Sequence, residues 1–469
     1  MVTTLHQKRT HTIKVEFADE PVTSFGGLAL AERMGQRLGI WRTLSGTLPE
    51  RRGDYDWQTY VKSVVMGLLS GGQGTYASQS IREDAALRSL LDMGGAPEEV
   101  TVWRSLKRLG EYQAQGRLVG VQVVAARRTL EKMDRASLLF EGFVRIFADG
   151  SLLEGSRRRE GTKYVKEKGN GLMWSAVFVG PVLAAQRLSG EGKGESEQSA
   201  VRAMLPEVQE RVLRPLHLER RALVLMDSLH GDDPTLRDLE TRHLHYVVGA
   251  NKLSATAKTL AGQPELVWES TGAKPSLGWS DSGVCECWIQ CEEWPKKRQL
   301  FGRRFKRDGE MIWNYSGVMS NLREKDVSGM LDRGLSFSRA IWRLYDSKAG
   351  METLFSDGLS DLGLHHPPCQ EHVRNAGFYA VAALAWVLAT AVDQIGGRGG
   401  DRASTTRQDG GERKRALPSR MRFWRLRREL FALPGRVAFH SRELTVRLLG
   451  VCDRVQGLYG RYWDNIARC

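Results

Sequence analysis

The spacing of apolar residues divides the chain into segments of different secondary structure. From about residue 20 to 135, apolar positions recur every three or four residues, as in residues 28–38 and 60–69, between turns rich in Gly and Pro. This spacing is typical of amphipathic helices and predicts a helical N-terminal domain over residues 1–138. From residue 140 the apolar residues instead form short continuous runs, which indicate buried strands.

The strand-like runs alternate with helical stretches in a regular order. Runs at residues 144–148, 174–179 and 182–188 precede a helical stretch, and runs at residues 221–226 and 246–250 flank a second one. Gly180-Pro181 predicts a hairpin turn between the second and third runs. The order β-β-β-α-β-α-β predicts a mixed sheet with helices packed on it, which is an α/β fold. Because helical character returns after residue 323, the α/β core comprises residues 139–254 and 323–394.

Residues 255–322 interrupt this core with short alternating runs, and they predict a β-rich insertion. The insertion holds five of the chain's 13 tryptophans, including Trp288 and Trp294. It also contains a dense basic segment interleaved with Phe301 and Phe305: Lys296, Lys297, Arg298, Arg303, Arg304, Lys306 and Arg307. Basic residues beside aromatic ones favour nucleic-acid contact through phosphate pairing and base stacking, although a basic hairpin tip would show the same pattern.

The C-terminal part separates into two segments of different composition. Residues 395–412 lack an apolar pattern and are rich in Gly and polar residues, so they predict a linker. Residues 413–469 predict a basic helical region, with eight basic and no acidic residues in 413–428. This region is interpreted as a second nucleic-acid contact or as an oligomer contact.

Net charge and cysteine usage limit the class of protein. The formal charge of +14 favours a polyanionic partner. The N-terminus has no apolar signal region and the six scattered cysteines form no disulfide framework, so a cytoplasmic location is expected. Residues 376–392 carry no charge over 17 positions, but they are rich in Ala, and a buried helix explains them better than a membrane span.

One helix of the N-terminal domain has the composition of a DNA-reading helix. Residues 101–109 begin with Thr101, a suitable N-cap, and place Arg104, Lys107 and Arg108 on one exposed face. A surface helix with solvated charges would look the same.

Two aspartates follow apolar runs of the predicted sheet. Asp149 follows residues 144–148, and Asp227 follows residues 221–226. Strand ends of such sheets collect ligands, so the two carboxylates are candidate cation ligands. Asp149-Gly150 is also an ordinary turn dipeptide. Asp227 is harder to explain as a helix cap, because Asp233-Pro234 already supplies one for the next helix.

With a glutamate on a helix after the insertion, these aspartates resemble the DDE transposases of bacterial insertion sequences, whose catalytic core is ribonuclease-H-like. The most specific part of the resemblance is Tyr345-Asp-Ser-Lys348-Ala-Gly-Met-Glu352. It is similar to the Tyr-x2-Arg-x3-Glu-x6-Lys signature of the subgroup with a β insertion before the Glu. Lys348 stands where the signature has Arg, and Leu359 stands where it has the final Lys.

The resemblance implies a chemistry and a set of partners. Asp149, Asp227 and Glu352 would be the catalytic and metal-binding carboxylates, holding Mg²⁺ or Mn²⁺, as two ions. Tyr345 and Lys348 would contact DNA, and a tryptophan of the insertion would stack on a flipped base. The enzyme would cut double-stranded DNA at terminal inverted repeats and join the ends to target DNA, as a homodimer in a bacterial cytoplasm.

Two alternatives stay open at this point. The chain could be a catalytically silent DNA-binding descendant of a transposase, since Lys348 and Leu359 depart from the signature. It could also be a nuclease that does not transfer strands. Without the family, Glu352 is an ordinary glutamate in the first turn of a helix.

Overall fold

The computed structural model describes residues 20–51, 53–165, 169–189, 196–250, 253–398, 420–440 and 443–469. The N-terminal part is helical, as its apolar spacing predicts. Its helices are α1 (Ala29–Arg37), α2 (Ile40–Thr47), α3 (Trp57–Ser70), α4 (Gln79–Glu83), α5 (Ala85–Leu90), α6 (Glu99–Gly110), α7 (Tyr112–Lys132) and α8 (Arg135–Leu138). A short strand, β1 (Val22–Thr23), precedes them.

A large mixed sheet flanked by helices forms the centre of the molecule, so the predicted α/β fold class is confirmed. Its first strands are β2 (Leu139–Phe140), β3 (Phe143–Glu154), β4 (Lys163–Val165), β5 (Gly169–Val179), β6 (Val182–Ser189), β7 (Ala222–Met226) and β8 (His245–Gly249). β3, β7 and β8 run parallel, whereas β5 and β6 run antiparallel to their neighbours. The β5–β6 turn lies at Gly180-Pro181, as predicted.

The β-rich insertion continues this sheet. It contributes β9 (Glu269–Ser270), β10 (Trp279–Ile289), β11 (Arg298–Arg307) and β12 (Asn314–Ser320). β12 pairs with β8, so the order along the sheet is β4-β5-β3-β7-β8-β12-β11-β10-β9, with β2 beside β3 and β6 beside β5. The backbone hydrogen bonds of β8 therefore connect the insertion to the core.

Helices before and after the insertion cover the sheet. They are α9 (Glu197–Val208), α10 (Asp233–Thr241), α11 (Leu253–Ala261), α12 (Ser328–Leu331), α13 (Phe337–Asp346), α14 (Met351–Leu359) and α15 (His372–Ala391). The cap of α10 is Asp232 rather than Asp233, one residue earlier than predicted.

The uncharged segment at residues 376–392 lies in α15. With the following π-helical turn, residues His372–Gly396 are long and apolar enough to cross a membrane, but this segment is buried inside the protein. It packs against α3, α6 and α7 on one side and against β6 on the other. α6 and α15 approach closely because Gly110 and Gly377 have no side chains; a Cβ at Gly110 would lie 1.6 Å from the carbonyl oxygen of Val373.

The C-terminal region differs from its prediction, because it contains strands as well as helices. Its elements are α16 (Phe423–Leu426), β13 (Gly435–His440), β14 (Glu443–Leu448) and α17 (Asp453–Arg468). β13 pairs with β14 and with β1, and α17 packs against α1. The region thus folds back onto the N-terminal helices. The predicted linker at residues 395–412 starts too early, since the π-helical turn extends to Gly396, and residues 399–419 lie outside the described residues.

Candidate metal centre

The two predicted aspartates lie on neighbouring parallel strands of the central sheet. β3 and β7 are paired up to Phe147 and Leu225. Asp149 lies two residues further along β3, and Asp227 lies two residues further along the chain, immediately after the end of β7. Because side chains alternate across a strand, Asp149 and Asp227 project from the same face of the sheet as that pair. Asp149 is in the middle of β3 rather than at its end, where it faces Ala176 of β5. The interpretation of Asp149-Gly150 as a turn is therefore wrong.

Two residues that the sequence analysis missed complete the cluster. Glu197, the first residue of α9, and His230, in the short turn after Asp227, lie beside Asp149. One potential ligand atom of each of Asp149, Glu197 and His230 lies within 4.8 Å of those of the other two. His230 Nε2 is 3.2 Å from Glu197 Oε1. The acidic site is defined here as Asp149, Glu197, Asp227 and His230.

Glycine at position 150 makes room for the glutamate. A Cβ on Gly150 would lie 2.4 Å from the carboxyl carbon of Glu197 and 2.7 Å from each carboxylate oxygen. The Asp-Gly pair therefore contributes a ligand and the space for a second carboxylate. Gly150 was a sign in the sequence that another side chain lies close to the backbone here, but nothing in the local pattern identified that side chain as Glu197.

Tyr345 and Lys348, from the region of the proposed signature, also reach the acidic site. Lys348 lies in a 3-10 turn after α13, and its Nζ is 3.1 Å from Asp149 Oδ2. Burial, together with the negative charges of Asp227 and Asp149, raises the pKa of Tyr345 to about 12. The Tyr345 phenol therefore stays protonated at neutral pH and is able to donate a hydrogen bond.

The electrostatics of the acidic site favour a bound cation. Burial raises the pKa of Asp227, and the nearby charge of Asp149 raises it further, while His230 and Lys348 oppose the shift. Asp149 and Asp227 thus share the positive charge of Lys348, while Glu197 lies beside His230. His230 is fully buried, and its Nδ1 has no hydrogen-bond partner among the described residues. Carboxylate oxygens are the donors that Mg²⁺ and Mn²⁺ prefer, so the residues present fit such an ion.

Glu352 occupies a different environment from the other predicted carboxylates. It lies in the first turn of α14, four residues after Lys348, and it is exposed. Within the described part of the chain, no hydrogen bond or ion pair joins it to Asp149, and the group of candidate metal ligands does not include it. Its role as third catalytic carboxylate stays a prediction.

Three of the arginines predicted to bind DNA are buried and paired within the protein. Arg298 lies 2.7 Å from Asp233 and 3.2 Å from Glu240. Arg303 forms two hydrogen bonds with Asp346 and stacks on Trp342, at 3.7 Å from the ring centroid. Arg304 pairs with Glu265 and lies over Trp268 and Trp313. The insertion therefore uses these arginines and several of its tryptophans for its own packing, which corrects their assignment to a DNA-binding groove.

The remaining predicted residues of the insertion divide by exposure. Trp294 is buried beneath Arg298, so it belongs to the core. Trp288 is 53% exposed, and the exposed Lys297 lies over its ring at 5.1 Å. Lys296 is exposed but pairs with Glu240 at 2.8 Å. Trp288 and Lys297 are thus the pair that the structure leaves accessible to a ligand.

The predicted DNA-reading helix corresponds to α6, which begins at Glu99, two residues before the predicted Thr101 cap. Arg104, Lys107 and Arg108 are exposed on it, as the pattern indicated. Lys107 Nζ is 3.9 Å from Glu371 Oε2, a weak surface pair.

Comparisons with known proteins give only a distant structural similarity. No protein-family model and no curated protein matches the sequence. Among solved structures, the chain is similar to a piggyBac transposase in a synaptic complex with hairpin DNA, at 11% sequence identity and a TM-score of 0.38. The similarity covers 79% of this chain and 76% of the other. A TM-score this low adds nothing to the evidence that the site itself provides.

Proposed function

We propose that the chain is a DNA transposase that cuts phosphodiester bonds at the ends of an insertion sequence and joins them to target DNA. The observation that carries this proposal is the convergence of Asp149 and Asp227, from parallel neighbouring strands, with Glu197 and Lys348 beside them. The strand order supports a ribonuclease-H-like core, with antiparallel β5 and β6 beside parallel β3, β7 and β8.

The acidic site suits the binding of Mg²⁺ or Mn²⁺, and two ions are proposed. A bound divalent ion polarises a phosphate and lowers the pKa of a coordinated water molecule. Asp149, Asp227 and Glu197 would hold it from three elements, so its position would be fixed by the sheet and by the start of α9. In each proposed step an oxygen nucleophile, first water and then the freed 3′-hydroxyl, forms a P–O bond as another P–O bond breaks.

Lys348 and Tyr345 would position the reacting phosphate. The ammonium group of Lys348 provides a positive charge next to Asp149, although it lacks the two-pronged geometry of the arginine in the signature. Tyr345 would donate its hydroxyl hydrogen to a phosphate oxygen, since its raised pKa keeps that hydrogen in place. Both side chains thus offer donors where phosphate charge would be concentrated.

The choice of the third metal-binding carboxylate, Glu197 or Glu352, depends on which of them lies at the acidic site. Glu197 already lies at the acidic site, whereas Glu352 faces solvent one helical turn beyond Lys348. We propose Glu197 as a metal ligand and keep Glu352 as a second candidate. Replacing each with Gln separates the two assignments, because only a ligand's loss should raise the concentration of Mn²⁺ that cleavage requires.

DNA contact is proposed for surfaces outside the acidic site. The exposed positive charges of α6 and the Trp288–Lys297 pair are the accessible candidates among the predicted residues. The terminal inverted repeats, a homodimer on paired ends and a cytoplasmic, bacterial setting belong to the same proposal.

The test uses DNA that flanks the reading frame. The purified chain is incubated with end-labelled duplexes from both flanks and a target plasmid, in Mg²⁺ or Mn²⁺, and cutting and joining are measured on gels. We expect Asp149→Ala and Asp227→Ala to abolish cutting while DNA binding persists, and Asp308→Ala, an exposed aspartate in a turn, to cut normally.

Each of the other outcomes would indicate a different function for the chain. If Asp149→Ala or Asp227→Ala cut DNA at the normal rate, the assignment of the acidic site as the catalytic site would be wrong. Binding without cutting by the unmodified chain would indicate the silent descendant, and cutting without joining would indicate a nuclease.

A further inference from the structure

A polar cavity lies beyond the far end of β3, away from the acidic site. It has a volume of about 480 Å³, and its lining residues are Glu154, Gly155, Ser156, Arg159, Asn170 and His366. β3 continues from Asp149 to its last residue, Glu154, so the cavity begins ~17 Å from the acidic site at ~3.3 Å per residue. We call it the Arg159 cavity.

Among the described residues, the guanidinium group of Arg159 has no anionic partner in this cavity. Its Nη1 makes one long hydrogen bond, 3.4 Å, to the carbonyl oxygen of Glu154. Its Nε is buried without a hydrogen-bond partner, and none of the described carboxylates forms an ion pair with it. A buried donor on a charged group without an acceptor is costly, so the cavity favours an anion.

The loop that carries Arg159 is held in place by the surrounding backbone. The backbone nitrogen of Gly155 donates to the carbonyl oxygen of Asn170 at 3.1 Å, and that of Glu160 donates to the carbonyl oxygen of Gln370 at 3.0 Å. A Cβ at Gly155 would lie 2.9 Å from Nη1 of Arg159, so glycine leaves space for the guanidinium group. The site is therefore prepared before any ligand arrives.

The other side chains that line the cavity include hydrogen-bond donors that suit phosphate oxygens. Ser156 has a hydroxyl and Asn170 an amide that donate hydrogen bonds to phosphate oxygens, and His366 is exposed at the rim. Arg157 and Arg158 are exposed on the same loop but do not line the cavity. The carboxylate of Glu154 is the opposing charge.

The cavity also lies next to the DNA-binding candidate α6. The Arg159 loop is joined to the backbone of residues 370–372 through Glu160, whose carboxylate accepts a hydrogen bond from the backbone nitrogen of His372. Lys107 of α6 pairs with Glu371 in the same segment. One DNA backbone can therefore contact α6 and the Arg159 cavity together.

We propose that the Arg159 cavity binds a backbone phosphate of the DNA substrate, on the order of five base pairs from the reacting phosphate at 3.4 Å per base pair. This inference rests on the proposed function for the identity of the ligand as DNA. It adds a contact that fixes the register of the duplex without reading its sequence.

The test measures binding of a fluorescent 30-base-pair duplex of arbitrary sequence to the full chain in EDTA, over a series of salt concentrations. We expect Arg159→Ala to weaken binding about fivefold to tenfold, and to lower the slope of log affinity against log salt by about one, because one phosphate contact is lost. Arg158→Ala, its exposed neighbour, is the matched control and should change affinity less than about twofold. Glu154→Gln should bind DNA more tightly than the unmodified chain.

The outcomes are separable from those of the cleavage test. Equal effects of Arg159→Ala and Arg158→Ala, with unchanged thermal unfolding, would overturn the proposal. An unchanged DNA affinity and an unchanged salt slope in Arg159→Ala would also overturn it. Because the assay contains no metal ion and requires no cutting, a chain without transposase activity would still give a clear result.

Discussion

The molecule contains two clusters of carboxylates that differ in their counter-charge. In the acidic site, Asp149 and Asp227 share Lys348, and Glu197 lies beside His230. In a second cluster, here called the arginine-paired cluster, Asp357 is fully buried and pairs with Arg420 and Arg422, and Asp361 also pairs with Arg422. The carboxylates of the second cluster are neutralised within the chain, while those of the first retain negative charge that an external cation would neutralise.

This difference separates a structural role from a functional one. The arginines of the second cluster come from residues 420–422, so their ion pairs attach the C-terminal region to α14. Arg420 and Arg422 of the basic segment are therefore used to hold the fold together, while its role as a nucleic-acid or oligomer contact stays a prediction. An acidic cluster left without such arginines has a cost in stability that a ligand can recover.

The largest expected effect is the loss of folding stability when the arginine-paired cluster is disrupted. Burial raises the pKa of Asp357 to about 6, which is still low enough for the carboxylate to be ionised at pH 7 beside the buried Arg420. Unlike a substitution at Asp227, Asp357→Asn therefore leaves a buried arginine without its anionic partner, and the free energy of unfolding should fall, by up to about 3–5 kcal/mol. Asp149→Asn is the matched substitution in the acidic site and should change it by less than about 1 kcal/mol. Urea denaturation monitored by tryptophan fluorescence measures both. Equal losses would show that the two clusters do not differ in the way described.

The second expected effect concerns metal ions, which should bind at the acidic site and not at the arginine-paired cluster. Adding Mg²⁺ or Mn²⁺ at about 100 times its dissociation constant should stabilise the chain by about 2.7 kcal/mol. Thermal unfolding should show this gain in the unmodified chain and in Asp357→Asn. It should be absent in Asp149→Asn and Asp227→Asn, and its persistence there would place the metal elsewhere.

The third effect concerns the space that Gly150 leaves for Glu197. In Gly150→Ala the new Cβ would displace the Glu197 carboxylate, so affinity for Mn²⁺ should fall about tenfold, which is about 1.4 kcal/mol. Isothermal titration with Mn²⁺ measures this change. Gly329→Ala is the control, since no atom lies within 4 Å of a Cβ built there. An unchanged affinity in Gly150→Ala would remove Glu197 from the ligand set.

The sequence was most informative where structure depends on local pattern. The apolar runs predict β3, β5, β6, β7 and β8 and the two aspartates, and the structure has these strands in the predicted order along the chain, with β2 and β4 in addition. The C-terminal hairpin also has a visible alternation, with Val437 and Val446 facing inward more than their neighbours, but the basic residues before it obscured that pattern.

The parts that could not be predicted depend on partners distant in sequence. Glu197 reaches the acidic site because α9 crosses β3 at Gly150, and no spacing within α9 records that contact. Likewise, Arg303 belongs to a basic run that the sequence suggests is exposed, but in the structure it pairs with Asp346, 43 residues later. Burial of a charge is decided by such long-range pairs, so a local run of basic residues overestimates the surface available to DNA.

The smallest expected effect tests the strain within the acidic site. Burial and the charge of Asp149 raise the pKa of Asp227, so its ionised form is less favourable in the folded chain than in the unfolded one. The carboxylate of Asp227 therefore contributes stability below its unfolded pKa and loses that contribution as the pH rises through the raised folded pKa. At pH 7 in EDTA, Asp227→Asn should therefore increase the free energy of unfolding. The gain should disappear in saturating Mg²⁺, which stabilises only the unmodified chain; a loss of stability in EDTA would contradict the contrast between the two clusters.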